Sequence, residues 1–263
     1  MTAPATRTAP GAPAPGAPAP GAPAAPAAFG PAATPGPAWR ADPYALALRT
    51  GQGPLFLRRT DGRRLPLDVE RWCAGTDAAD ESVLSRCRGT VLDIGCGPGR
   101  LVAALAERGH RALGIDVTPA AVTRTVRRGG TALCRSVFDP LPGERRWDTA
   151  LLIDGNIGIG GDPAVLLRRT ADLLAPGGRL LAEAAPVDVD ERCEVRLDDG
   201  RGTLGTPFPW ARVGRRALLR HAEAAGWRTV ANWTLAGRHF AELVPRAPRR
   251  RAAEAGAPHR AAS

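Results

Sequence analysis

Lysine is absent. All 36 basic residues among the 263 are arginine, and with 26 acidic residues they leave a formal net charge of +10. A chain free of lysine and heavy in alanine, proline, glycine and arginine reads as the coding bias of a GC-rich genome. That reading accounts for the charge without a polyanionic partner. The arginines also form no basic face. They fall in scattered pairs, Arg58-Arg59, Arg63-Arg64, Arg127-Arg128, Arg145-Arg146, Arg168-Arg169 and Arg215-Arg216, and only Arg246 to Arg251 is dense. A nucleic-acid footprint concentrates its charge on one stripe or face, so nucleic acid is not an expected partner. Cysteine is scarce: Cys73, Cys87, Cys96, Cys134 and Cys193 are odd in number and include no C-x-x-C. This excludes a disulfide framework or a zinc site and suits a reducing, cytoplasmic setting. His110, His221, His239 and His259 are too far apart in sequence to suggest a metal site. No run approaches the ~18 apolar residues of a membrane-spanning helix.

The first 38 residues are a Pro/Ala/Gly tail with Ala-Pro-Gly repeats. Such a segment has little apolar surface with which to offset its ordering entropy, so 1–38 is expected to be disordered with polyproline II character. It lacks the apolar core of a secretion signal. An Arg/Ala-rich tail is expected over 247–263. Between the tails, 39–88 reads as an accessory hairpin and helix, and 89–246 as one α/β domain large enough for a sizeable core.

The most informative stretch is Val91-Leu92-Asp93-Ile94-Gly95-Cys96-Gly97-Pro98-Gly99-Arg100. Hydrophobics around one acid read as a buried parallel strand. Three glycines at alternate positions allow a tight turn, and Leu101 to Ala106 reads as the following helix. A strand, a glycine turn and a helix form a cradle whose backbone N–H groups a ligand can approach without meeting a Cβ. A dinucleotide site calls for G-x-G-x-x-G; this turn is G-x-G-x-G. The next strand, Arg111 to Val117, carries Asp116 21 residues beyond Gly95, where a carboxylate can accept both hydroxyls of a ribose. With Leu174 to Leu181 as a helix end and strand start, the chain resembles the class I S-adenosylmethionine-dependent methyltransferases over about 91–244. The resemblance implies S-adenosylmethionine as cofactor.

The order of elements agrees. Asp61-Gly62 between Leu55–Arg59 and Arg64–Val69 signals a hairpin, with Pro66 at an edge. Asp77 to Cys87 reads as a short helix. From Val91 onward strands at 91–95, 111–117, 131–138, 149–154 and 179–184 alternate with helices near 99–108, after Thr118-Pro119, and from Asp162 to Leu174. Repeated βα units imply a parallel sheet. A small hairpin is expected around 194–200, a helix over 213–225, and closing strands at 229–234 and 239–244. The fold class is therefore α/β: a Rossmann-like, mostly parallel seven-stranded sheet with helices on both faces, a C-terminal antiparallel hairpin and a small accessory hairpin before the core. The resemblance implies the antiparallel insertion of the last strand.

Ligands of open α/β sheets sit beyond the C-terminal strand ends. By resemblance, Asp93, Gly95, Cys96, Gly97 and Gly99 hold the methionine and ribose, Asp116 with Val117 the ribose, and Ser136, Val137 and Phe138 the adenine. Ser136 stands where many relatives have an acid, with Asp139 a possible substitute; Phe138 also suits core packing. Asp154, Gly155 and Asn156 border the sulfonium and acceptor. Four glycines between Asp154 and Gly161 suggest backbone close to a ligand. If the acceptor needs a base, Asp154 is placed to act, then His239. The resemblance implies methyl transfer to an acceptor, first a small molecule and then protein or RNA, with a non-catalytic cofactor-binding or interaction protein as the alternative; the acceptor is expected among the 45–75 segment, the 155–161 loop and the 185–212 insert, with Trp72, Phe208 and Trp210 on its walls.

Overall fold

The computed structural model describes residues 42–246; both tails lie outside this range. Helix α1 (Pro43–Thr50) opens on Asp42, whose carboxylate accepts the Tyr44 N–H at 2.9 Å, with Pro43 at its first position. Strands β1 (Phe56–Arg59) and β2 (Arg64–Pro66) form the expected hairpin, and Pro66 lies on an edge strand. Helices α2 (Val69–Cys73) and α3 (Ala78–Leu84) follow, the latter closed by a reciprocal capping box between Asp77 and Asp80.

The alternating region is β3 (Val91–Ile94), α4 (Arg100–Glu107), β4 (Ala112–Asp116), α5 (Pro119–Arg127), β5 (Ala132–Cys134), β6 (Trp147–Leu152), α6 (Pro163–Leu173) and β7 (Leu174–Ala184). After it come β8 (Asp190–Asp198), β9 (Phe208–Val213), α7 (Arg215–Ala224), β10 (Trp227–Leu235) and β11 (Arg238–Pro245). One sheet has seven strands in the order β10-β11-β7-β6-β3-β4-β5. Its β3, β4, β5, β6 and β7 pair in parallel, while β11 runs antiparallel between β7 and β10. The expected seven-stranded Rossmann-like sheet is present.

Both faces are covered because successive strand residues point to opposite sides. Leu92, Ile94, Leu113 and Leu180 pack with Leu166, Leu167 and Leu218 of α6 and α7. Val91, Leu151 and Leu181 pack with Val83, Leu101 and Leu105 of α3 and α4. Each such buried aliphatic side chain contributes about 1.5–3 kcal/mol.

Three local expectations are corrected. The third strand ends at Cys134, not 138, because Ser136 and Asp139 close a turn: the Asp139 N–H reaches the Ser136 carbonyl, and the Phe138 N–H reaches the Ser136 hydroxyl. Thr118 does stand at the start of α5, but its side chain makes no cap bond; its own N–H is bound by Asp116. The insert is larger than a small hairpin at 194–200. Strand β8 pairs with β9 and also with β1, so the two hairpins form one antiparallel sheet in the order β2-β1-β8-β9.

Candidate functional site

A cavity of about 860 Å³ opens at the C-terminal ends of the parallel strands. Its floor is the glycine turn: Ile94, Gly95, Cys96, Gly97 and Pro98. Asp116, Val117, Ser136, Val137, Phe138, Asp154 and Asn156 also line it. The far wall comes from the four-stranded sheet and its connections, with Leu57, Leu67, Trp72, Leu197, Leu204, Phe208 and Trp210. Asp93, Gly99 and Gly155, expected with the cofactor residues, are not on its wall.

The glycines of the turn differ in purpose. Gly97 has φ 53°, and a Cβ placed there would meet one neighbour, the Tyr44 hydroxyl at 3.4 Å. Its backbone is therefore open toward the cavity, as a cradle for a nucleoside requires. Gly99 has φ 80°, and its added Cβ would stand 2.4 Å from the Thr125 hydroxyl. Glycine there allows α4 to start hard against α5, and the placement with the ligand gives way to packing.

Asp116, at the end of β4, is 7% exposed. Its carboxylate accepts the Thr118 N–H at 2.8 Å and the Gly97 N–H at 3.1 Å. Burial pushes its pKa up to about 6 against the pull of these donors. It caps α5, fastens the glycine turn and faces the cavity at once. Tyr44 lines the same cavity. Asp93 is buried within β3, and burial pushes its carboxyl up to about 7, opposed by the charge of Arg100.

Asp154 is not a free base. Its backbone is left-handed, φ 59°. Its carboxylate meets Arg71 at 2.6 Å, Arg100 at 2.7 Å and Arg238 at 3.1 Å. Burial works to raise its pKa, but the three guanidinium groups hold it below the usual carboxylate range. Arg100 also grips Asp80 through two bonds of 2.8 Å, and Arg238 grips Glu183 through two more of 2.8 Å. Here too burial works to raise Asp80, while Arg100 and Arg238 hold it at about 2. Three acids and three arginines thus tie α2, α3, α4, β7, β11 and the end of β6 into one buried network. A carboxylate so held is a strut and a poor proton acceptor. His239 is excluded from the cavity as well: it lines a separate cleft beside Pro186 and Arg216 and pairs with Thr234 at 2.8 Å.

Three of the four glycines in the loop after Asp154 are packed against protein, while Asn156, Ile159 and Gly160 also line the cavity. A Cβ on Gly158 would lie 2.1 Å from the Ala211 carbonyl, one on Gly161 2.8 Å from Pro209, and one on Gly160 2.7 Å from the Phe138 ring. The loop is pressed beneath β9, and Asn156 clamps it to the turn through bonds of 2.9 Å to the Ile94 and Gly95 carbonyls. Phe138 is not core: it is 43% exposed at the cavity rim. Ser136 lines the cavity near it, whereas Asp139 does not. Trp72, Phe208 and Trp210 do lie on the wall expected for an acceptor.

Sequence reasoning missed Tyr44 and the arginine network. Asp42-Pro43 before an apolar run was a usable helix-start signal for α1. The network has no local mark, because its members come from distant segments.

Among known proteins, a family model described as a methyltransferase domain matches residues 66–255. A methyltransferase from Bacteroides fragilis, solved with S-adenosylhomocysteine, is 21% identical over 78% of this chain and 95% of its own, with a TM-score of 0.67. The CcbJ methyltransferase from Streptomyces caelestis is 16% identical over 79% of this chain and 99% of its own, with a TM-score of 0.53. The glycopeptide N-methyltransferase MtfA, solved with sinefungin, is 14% identical over 66% and 88%, with a TM-score of 0.51. The family model spans most of the chain, and the sheet is the mostly parallel seven-stranded one with an antiparallel last strand: the chain belongs to the S-adenosylmethionine-dependent methyltransferase family, with its Rossmann-like fold.

Proposed function

We propose that the protein transfers a methyl group to a small acceptor with an apolar body, bound in the same cavity as the cofactor. The observation that supports this most is the make-up of that cavity. One end has open backbone and a carboxylate, at Gly97 and Asp116; the other is walled by Leu57, Leu67, Trp72, Leu197, Phe208 and Trp210. Its size, about 860 Å³, is near the top of the range of roughly 300–1,000 Å³ for ligand pockets. The wall of a second sheet over the strand ends suits a small molecule better than a folded polymer.

In this reading Gly95, Cys96 and Gly97 border the methionine and ribose, Asp116 takes the ribose hydroxyls, and Val117, Ser136, Val137 and Phe138 border the adenine. When bound, S-adenosylmethionine supplies a sulfonium-activated methyl group open to direct in-line displacement. The chain's own part is alignment and exclusion of water. Asn156 holds the 155–161 loop rigidly against the glycine turn, the aromatic wall covers the acceptor, and Asp154 stays ionised as a support. Incubation with methyl-labelled cofactor and a fractionated cell extract tests the proposal. Label is expected in the small-molecule fraction; label confined to protein or RNA would overturn the acceptor class. No helix among the described residues is long and apolar enough to cross a membrane.

A further inference from the structure

Asn156 is held in one orientation. Its Nδ2 donates to two carbonyl oxygens, of Ile94 and Gly95, each at 2.9 Å. Carbonyls only accept, so a reversed amide would set oxygen against oxygen. The fit is close: a Cβ on Gly95 would lie 2.7 Å from that nitrogen. The Oδ1 of the same amide takes no hydrogen bond from any described residue, and it is not among the polar atoms sealed off without a partner. Asn156 lines the cavity, so this free acceptor is offered there. Its neighbours fix the place. Gly95 belongs to the glycine turn, while Ile159 also lines the cavity and bridges to Trp210 of the aromatic wall. The oxygen stands where the cofactor end of the cavity meets the acceptor end.

A fixed acceptor selects among nucleophiles. It repels an oxygen or sulfur anion. It can take the hydrogen of an alcohol, but an amide oxygen is no base, and the alcohol would keep its proton. A base would then have to come from the wall. Among the described residues that line the cavity, none is a histidine or a glutamate. Its carboxylates are engaged: Asp42 with the Tyr44 N–H, Asp116 with those of Gly97 and Thr118, and Asp154 with three arginines. A neutral amine needs no base. It gives one N–H to Oδ1 and keeps its lone pair for the methyl group. The apolar walls favour the uncharged amine over its ammonium form.

We propose that the acceptor atom is an amine nitrogen, positioned by one N–H on the Asn156 Oδ1. The proposal rests on the methyl-transfer reading above and narrows its acceptor class. The nitrogen lone pair forms the new N–C bond as the C–S bond of the sulfonium breaks, and the C–S electron pair stays on sulfur. The products are the neutral thioether and a methylammonium ion, which loses its extra proton to water. No side chain has to remove a proton before transfer.

The full chain, ¹³C-methyl S-adenosylmethionine and the small-molecule fraction of a cell extract test this. The labelled product should be retained by a cation exchanger in acid, and its methyl carbon should resonate in the N-methyl region. A methyl group on oxygen, sulfur or carbon would overturn the proposal and leave methyl transfer to a small molecule standing. Label confined to protein or RNA would overturn the small-molecule reading beneath it. Asn156→Ala then probes the residue. With cofactor saturating, transfer into the same fraction should fall about tenfold, the worth of one net hydrogen bond, while calorimetry finds S-adenosylhomocysteine affinity within about threefold of the parent. Affinity that falls in step with transfer would show that Oδ1 holds the cofactor, and would overturn the positioning of the amine. The product test uses the parent chain, so it decides the acceptor atom even where the variant loosens the loop.

Discussion

At the scale of single residues, neighbouring glycines in one turn do different work. A Cβ at Gly97 points at the cavity, whereas one at Gly99 strikes Thr125 at 2.4 Å. Gly97→Ala should therefore weaken S-adenosylhomocysteine binding more than it lowers the melting temperature. Gly99→Ala should do the reverse, because overpacking costs about 1–3 kcal/mol of stability wherever a ligand binds. Titration and thermal melts of both variants check the contrast; equal behaviour would show that the turn acts as one unit. Asp116 is a different case. A strand-end acid is expected to face solvent in an empty site, yet here it is 7% exposed and satisfied by protein donors. Its removal therefore affects folding as well as binding, and the amide, which keeps the shape, is the cleaner variant. Asp116→Asn should weaken S-adenosylhomocysteine by about 2 kcal/mol, roughly 30-fold, through loss of charge-assisted bonds.

At the scale of elements, the loop after β6 and the network around Asp154 hold the two ends of the fold together. Gly158→Ala places a methyl group 2.1 Å from the Ala211 carbonyl. It should force the loop off β9 and cost about 2–3 kcal/mol, read from denaturant unfolding. Asp154→Asn distinguishes a strut from a base. Neutralising the group that Arg71, Arg100 and Arg238 share leaves buried cations short of a partner, at a cost of about 3–5 kcal/mol. Stability should fall sharply and the pH profile of the residual activity should keep its shape. Full stability with a lost basic limb would restore the catalytic role. The helices themselves were largely legible: Asp162 caps α6 with Pro163 at its first position, as Asp-Pro before a periodic run predicts. The loop glycines were visible too, but not their purpose. Glycine permits a close approach of any partner, and only the path of β9 shows that at Gly158 and Gly161 the partner is protein.

At the scale of the whole molecule, the buried carboxylates set how stability depends on pH. Asp93 and Asp116 have pKa values raised to about 7 and about 6 from the usual 3.8. Between roughly pH 4 and 7 the folded chain retains protons that the unfolded chain releases, so these two make stability fall as pH rises through that window. Asp80 acts in the opposite sense. Held at about 2, it adds stability that is present above the usual carboxylate pKa and lost as pH falls toward 2. The melting temperature should thus peak in mildly acid solution and decline toward neutrality. Asp93→Asn should flatten the decline, and a parent protein that gains stability from pH 5 to 7 would refute the assignment.

What the sequence determined by itself is whatever a few adjacent residues can encode. The strand-turn-helix at 91–107, the caps at Asp42, Asp77 and Asp162, the Asp61-Gly62 hairpin and the closing pair of strands all carry their signal within one or two turns of chain. The spacing of Gly95, Gly97, Gly99 and Asp116 also pointed to the cofactor family. Tertiary structure alone decided what closes the site. The pairing of Arg58 with Arg196 joins two hairpins across more than half the chain, and Arg238 finds Asp80 and Glu183 from the last hairpin. Strand pairing and buried ion pairs depend on which surfaces meet after the main sheet forms, and no local periodicity records that. Tyr44 belongs to both levels. Its helix start was written in Asp42-Pro43, but its place over the glycine turn exists only once α1 has docked there.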